Sequence, residues 1–90
     1  MTIRKLYDHA YAQAKVYTYS DGTIALVSYR TTVAVIEEGS WLAIRGLYSR
    51  TTIKHISWFM RELGLTYQLA KQLYEDGYEM NIHTGEMRRL

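Results

Sequence analysis

The residue types best suited to chemistry are concentrated in one segment, Tyr48-Ser-Arg-Thr-Thr-Ile-Lys-His55, where a strand pattern gives way to a helical one. The first N–H groups of a helix are free and carry a positive partial charge, so they can bind an anion such as phosphate. One interpretation of the segment is therefore an anion or nucleic-acid site. Its candidate contacts are Ser49, Arg50, Thr51, Thr52 and Lys54.

The alternative interpretation of the same segment is structural. Ser49, Thr51 and Thr52 are each able to cap a helix, and His55 follows Thr52 by three residues, so its ring could hydrogen-bond a threonine hydroxyl. Because hydroxyl caps of this kind are common, we favour a structural helix-start motif formed by Tyr48, Thr52 and His55. We expect Thr52 to be the cap.

Other kinds of reactive site find little support in the sequence. The chain has no cysteine, which excludes disulfides, thiolate metal sites and cysteine nucleophiles. No two of His9, His55 and His83 have the spacing that brings metal ligands together on a helix. No nucleophile elbow, glycine-rich phosphate loop or paired carboxylate motif is present. The sequence predicts a protein without metal, cofactor or enzymatic activity.

Composition sets the size and charge of the domain. The 90 residues include no proline and show no linker, low-complexity tract or internal repeat, which predicts one domain spanning residues 1–90. The formal net charge of +2 arises from 11 Lys and Arg against 9 Asp and Glu. This charge is too small for strong electrostatic capture of nucleic acid, although it leaves room for local basic patches.

We expect the protein to be cytoplasmic and not to contact a membrane. Its longest aliphatic run, residues 33–36, is far too short to span a bilayer. Its first residues carry basic groups without the apolar stretch that follows them in a secretory signal. The absence of cysteine also fits a reducing compartment.

The first half of the chain predicts a four-stranded antiparallel β-meander, with strands at residues 11–20, 23–30, 32–37 and 41–48. Asp21-Gly22 between the first two strands predicts a type I′ turn, in which both central residues have positive φ. In the second strand Ile24 and Leu26 share one face while Ala25 and Val27 share the other. A sheet apolar on both faces needs helices on one side and a further cover on the other, which makes a homodimer plausible.

The second half predicts two helices. Apolar residues recur at helical spacing from Ile53 to Leu63, after which Gly64 ends the helix. Thr66 can cap a second helix that ends at Gly77, and residues 78–90 suit a short strand and turn. The predicted fold class is therefore α+β. Residues 1–12 fit both a helical stripe and an extended segment, and their conformation stays open.

Residues 51–77 also resemble a helix-turn-helix, with Gly64 in the turn. Against this interpretation, the bulky Phe59 occupies a position that is usually small, and the second helix offers only Lys71 as a cation. An ordinary αα-hairpin is favoured. The nine tyrosines are either strand residues or part of an interaction surface.

Two motifs carry a resemblance to a known family. The segments Ser28-Tyr-Arg-Thr-Thr-Val-Ala-Val-Ile36 and Leu47-Tyr-Ser-Arg-Thr-Thr-Ile-Lys-His-Ile56 resemble a family of short proteins encoded by bacteriophages and mobile elements. Its members share a "Ser-Tyr-x-Thr-x-Val-Ala-x-Ile" strand and a "Tyr-Ser-x-Thr-Thr-x-x-His-Ile" helix start. The resemblance covers residues 28 to about 60.

The resemblance implies a biological setting and no catalytic residues. Small phage proteins without enzymatic signatures are often accessory factors that bind a host protein, and inhibitors of CRISPR-Cas effectors are the most concrete version. The part after Gly64 lies outside the resemblance and would carry a specific protein interface, with candidate contacts Tyr67, Tyr74, Tyr78, Arg88 and Arg89. The alternative function is a small nucleic-acid-binding regulator that uses residues 49–55 or the helical hairpin at 51–77.

Overall fold

A computed structural model describes residues 1–6 and 13–90 of the chain. Within these residues, seven strands form one antiparallel sheet, in which neighbouring strands follow one another in the sequence. Along the chain, the two helices come after the fifth strand and before the sixth. The elements are β1 (Thr2–Lys5), β2 (Ala14–Thr18), β3 (Ile24–Ser28), β4 (Thr31–Glu37), β5 (Trp41–Ile44), α1 (Arg50–Glu62), α2 (Tyr67–Asp76), β6 (Tyr78–Asn81) and β7 (Met87–Arg89). The α+β class is confirmed.

The sheet is larger than the predicted four-stranded meander. Strands β2 to β5 correspond to that meander, and β6 and β7 form a hairpin where a short strand and turn were expected. The added strand β1 lies in the segment whose conformation was left open, and the rest of that segment, residues 7–12, lies outside the described residues. All four residues of β1 are exposed, so its sequence lacks the alternation of apolar and polar residues that indicates a half-buried strand.

The first hairpin has a different turn from the one predicted. Gly22 has a φ of 90°, but Asp21 does not have a positive φ, so the turn is not type I′. The Asp21 carboxylate instead accepts a hydrogen bond from the Thr23 N–H at 2.9 Å, which leaves Gly22 alone in the left-handed region. The pair of positive φ angles occurs in the β4–β5 turn, at Glu38 (53°) and Gly39 (72°).

Both helices pack on one face of the sheet. α1 contacts β3 and β4, and α2 contacts β5 and β6. The shared core contains Leu26, Ile36 and Leu42 from the sheet together with Phe59 and Leu73 from the helices. The helix boundaries agree closely with the prediction, because Thr66 accepts a hydrogen bond from the Leu69 N–H at 3.2 Å and Gly77 ends α2 with a φ of 73°. None of the described helices is long and apolar enough to cross a membrane.

The opposite face of the sheet also has an apolar centre. Ala25, Val35 and Ala43 lie side by side on β3, β4 and β5, and all three are buried. They are separate from the core that the helices cover. The expected alternation is therefore present, while the homodimer that it suggested stays a prediction.

A β-bulge sets the end of β3 and the start of β4. Leu26 pairs with Ala34 and Val27 pairs with Thr32, so Val33 has no partner of its own and is buried in the core. Beyond the bulge, Ser28 pairs with Thr31. The two residues between them, Tyr29 and Arg30, form the turn next to the start of α1.

Candidate functional site

A buried hydrogen bond joins the end of β3 to the first helix. Ser28 Oγ lies 2.7 Å from His55 Nδ1, and each residue is only 2% exposed. Ser28 is the last residue of β3 and His55 lies in the second turn of α1. Because buried polar groups that lose their partner are costly, this bond fixes where α1 rests on the sheet.

The hydroxyl groups at the helix start continue this contact toward the surface. Ser49 is the N-cap: its Oγ accepts a hydrogen bond from the Thr52 N–H at 3.2 Å and donates one to Thr52 Oγ1 at 3.3 Å. Thr52 Oγ1 lies 3.5 Å from Ser28 Oγ. The expectation that Thr52 caps the helix was therefore wrong, since its side chain turns inward. The partner of His55 is Ser28 and not a threonine.

The His55 ring is enclosed by aromatic neighbours. Its centroid lies 6.0 Å from that of Tyr29 and 5.7 Å from that of Trp58. Burial lowers the pKa of His55, and the nearby charge of Lys54 lowers it further. Since the ordinary histidine pKa is about 6.5, this ring is neutral at pH 7.

A serine bonded to a histidine is also the arrangement that activates a nucleophile. Here both side chains are closed off from solvent, and the described residues supply no carboxylate hydrogen bond that would orient the imidazole. The bond has the features of a structural tie between sheet and helix. The described residues also contain no group of three His, Asp or Glu that could hold a metal ion.

Tyr29 is the first residue of the β3–β4 turn and has an unusual backbone conformation. It has a φ of 57°, although it is neither glycine nor asparagine, and the residue is 59% exposed. Its N–H donates to the Gln13 carbonyl oxygen at 2.6 Å, which holds the backbone in place. No Gly, Asn or Asp marks residues 28–31 as a turn, so the sequence predicted a strand that continues through Arg30.

Tyr48 lies apart from the other two residues of the proposed helix-start motif. Its ring folds back over Gly46, where any side chain would collide with it, and its hydroxyl donates to the Arg45 carbonyl oxygen at 3.3 Å. The structure thus brings Thr52 and His55 together around Ser28 and leaves Tyr48 exposed. Tyr48 instead borders a cleft of about 460 Å³ that Thr32, Ala43 and Leu90 also line.

The predicted anion contacts differ in their access to solvent. Ser49, Arg50 and Lys54 are exposed, Thr51 is half-buried and Thr52 is buried. The Lys54 ammonium lies 5.2 Å from the centroid of the Trp58 ring. Thr52 is therefore not available to a ligand in this conformation, whereas the two cations are.

Acidic residues are missing from this part of the chain. None occurs between positions 39 and 61, and the first turn of α1 contains none. The single acidic residue of α1, Glu62, forms a salt bridge to Arg4 at 2.6 Å. The exposed start of α1 therefore keeps its positive charge unneutralised by neighbours on the helix.

The predicted protein-interface residues of the C-terminal part are largely engaged within the molecule. Tyr67 and Tyr78 pack against the core, and Arg89 lies 5.6 Å from the ring of Tyr78. Arg88 lies 3.7 Å above the ring of Trp41 and forms a salt bridge to Glu79. Only Tyr74, which is 41% exposed, resembles an unoccupied contact residue. Their interface role stays a prediction.

A family model matches residues 1–78 and is described as a family of unknown function, DUF8033. Since this match takes in most of the chain, the protein belongs to that family. No curated protein and no solved structure matches the chain. The family description names no activity, so the phage setting and the absence of enzymatic activity stay predictions.

The N-cap of α1 predicts that removing the Ser49 hydroxyl destabilises the protein. Ser49→Ala should lower the free energy of unfolding by about 1 kcal/mol, because the Thr52 N–H loses its acceptor. Urea denaturation followed by circular dichroism measures this change. Thr51→Ala is the matched control, since it removes the neighbouring hydroxyl without touching the cap, and it should cost much less. Equal losses in the two variants would show that Ser49 is not the cap.

The burial of His55 predicts a pH-dependent stability. Its pKa is lower in the folded state, so the unfolded chain takes up a proton first as the pH falls below about 6.5. The stability contributed by the neutral ring is therefore complete well above that pH and declines as the pH falls through it. Denaturation at a series of pH values on both sides of about 6.5 measures it. An imidazole of His55 that titrates at or above 6.5 by NMR would contradict this.

Proposed function

We propose that this protein acts by binding a host macromolecule and carries out no chemistry of its own. The observation that carries the proposal is the contrast at the strand–helix junction. The reactive pair, Ser28 and His55, is buried and used to join two elements. The groups exposed beside it are those of a binding surface, an aromatic ring at Tyr29 and cations at Arg50 and Lys54.

The resemblance supports a phage or prophage accessory protein as the setting. Its most concrete version is an inhibitor that binds a CRISPR-Cas effector. Such effectors hold guide RNA and target DNA in a charged channel and displace a single DNA strand, so they offer both protein and nucleic acid as targets. A small protein with an aromatic and cationic surface could interfere with them by contacting either the effector protein or its nucleic acid.

Capture from a bacterial host lysate tests the leading proposal. The tagged protein should recover a stoichiometric partner, and co-expression with a panel of effector nucleases should suppress plasmid interference by at least one. The double variant Tyr29→Ala and Arg50→Ala should lose both effects, while Tyr19→Ala, which removes an exposed tyrosine beside the β2–β3 turn, should keep them. Recovery of no partner together with full interference across the panel would count against the proposal.

Direct nucleic-acid binding is a second candidate, which one observation favours. The acid-free stretch between positions 39 and 61 places exposed cations at the start of α1. The helical hairpin at 51–77 has less support as the binding element, because Lys71 on α2 lies 3.8 Å from Glu75, which offsets its charge. The start of α1 is thus the preferred surface.

Salt dependence tests this second candidate. Mobility shifts with mixed-sequence nucleic acid should be present at low salt and weaken steeply as salt rises, because phosphate contacts release counterions. Arg50→Ala and Lys54→Ala should each weaken binding and reduce the slope of log K against log salt by about one. Lys71→Ala removes the same charge from α2 and should change neither. Absence of any shift at low salt would dispose of the candidate.

A further inference from the structure

The backbone of Tyr29 is held in a conformation that a bulky residue rarely adopts. Its φ of 57° belongs to the left-handed region, where glycine or asparagine would sit without strain. The residue is 59% exposed, so the core gains little from its side chain. Strain of this kind is concentrated at functional sites, where the surrounding structure maintains it. Here the 2.6 Å bond from the Tyr29 N–H to the Gln13 carbonyl oxygen helps to do so.

Tyr29 is the exposed end of a row of rings. The centroids of Tyr29 and His55 are 6.0 Å apart, and those of His55 and Trp58 are 5.7 Å apart. His55 is fixed by its bond to Ser28 and Trp58 is half-buried, so the two inner rings support the outer one. A flat ring that is both supported from behind and open to solvent is a suitable platform for stacking.

Three cations lie on the two segments that carry these rings, the β3–β4 turn and α1. Arg30 follows Tyr29 in the turn, and Arg50 and Lys54 are one helical turn apart on α1. Lys54 lies over the Trp58 ring, which places its charge beside the row of aromatic rings. All three cations are exposed, and no acidic residue occurs in the sequence between positions 22 and 36 or between 39 and 61.

We infer that this surface, formed by Tyr29, Arg30, Arg50 and Lys54, binds single-stranded nucleic acid. One base stacks on the Tyr29 ring, and the phosphates on either side of it meet the cations. Binders of single strands combine these two features, because every base has a π face while the backbone supplies the charge. A duplex hides its base faces and can use only the cations. The inference rests on the second candidate function and adds to it the kind of strand and the stacking residue.

Fluorescence anisotropy with a labelled oligo(dT) of about 12 nucleotides tests the inference, since sites on single strands span about 4–16 nucleotides. The wild-type chain should bind this strand more tightly than a duplex of the same length. Tyr29→Gly should weaken binding to the single strand about tenfold or more, since one stacked base is lost. Its melting temperature should be unchanged or higher, because glycine accepts the positive φ.

Two further variants make the result specific. Tyr29→Phe keeps the ring and should retain most of the affinity, whereas Tyr19→Ala removes an exposed tyrosine beside the β2–β3 turn and should retain all of it. Equal affinity for single strand and duplex, or an unchanged affinity in Tyr29→Gly, would overturn the inference while leaving nucleic-acid binding in place. Failure of the wild-type chain to bind either probe at low salt would remove the second candidate function as well.

Discussion

The position of α1 on the sheet depends on one buried hydrogen bond, between Ser28 Oγ and His55 Nδ1. The bond spans 27 residues of sequence and lies where neither group can exchange its partner for water. Apolar contacts such as those of Ile56 and Phe59 hold the helix to the sheet, but they are non-directional and would tolerate small shifts along it. The hydrogen bond does not tolerate such shifts. The bond fixes the start of α1 beside the β3–β4 turn. Tyr29 in that turn and Lys54 on α1 therefore lie in the same region of the surface.

The geometry of the turn has the same origin in the sheet. The bulge at Val33 brings an extra residue of β4 into the core and leaves Ser28 paired with Thr31, so the chain must reverse within Tyr29 and Arg30. A reversal this short favours a positive φ at its first residue, where Tyr29 stands. The same arrangement therefore accounts for the strain at Tyr29, the burial of Ser28 and the placement of His55. Relaxing the turn by adding a residue would move Ser28 away from its partner and cost a buried hydrogen bond.

Local signals predicted the elements better than the site. Thr66 and Gly77 fixed both ends of α2, since a cap hydroxyl and a left-handed glycine act within one helical turn. Of the hydroxyl residues at positions 49, 51 and 52, the sequence favoured Thr52 as the cap, and this was wrong because the role of Ser49 depends on Thr52 turning toward Ser28. The partner of His55 was out of reach for the same reason, as it comes from a strand far away in the sequence. The conformation of β1 stayed open because an exposed edge strand bears no apolar alternation.

The net charge of +2 does not reveal the positive charge that is concentrated at the candidate site. In an antiparallel meander, alternate turns lie at opposite ends of the sheet. The β2–β3 and β4–β5 turns carry Asp21 and Glu38 at one end, and the β3–β4 turn carries Arg30 at the other, next to Arg50 and Lys54 on α1. These groups stand the length of a strand apart, beyond the distance over which charges act at physiological salt. Opposite charges that cancel in the sum therefore do not cancel in space, and an anionic ligand meets the positive end without being repelled by the acidic turns.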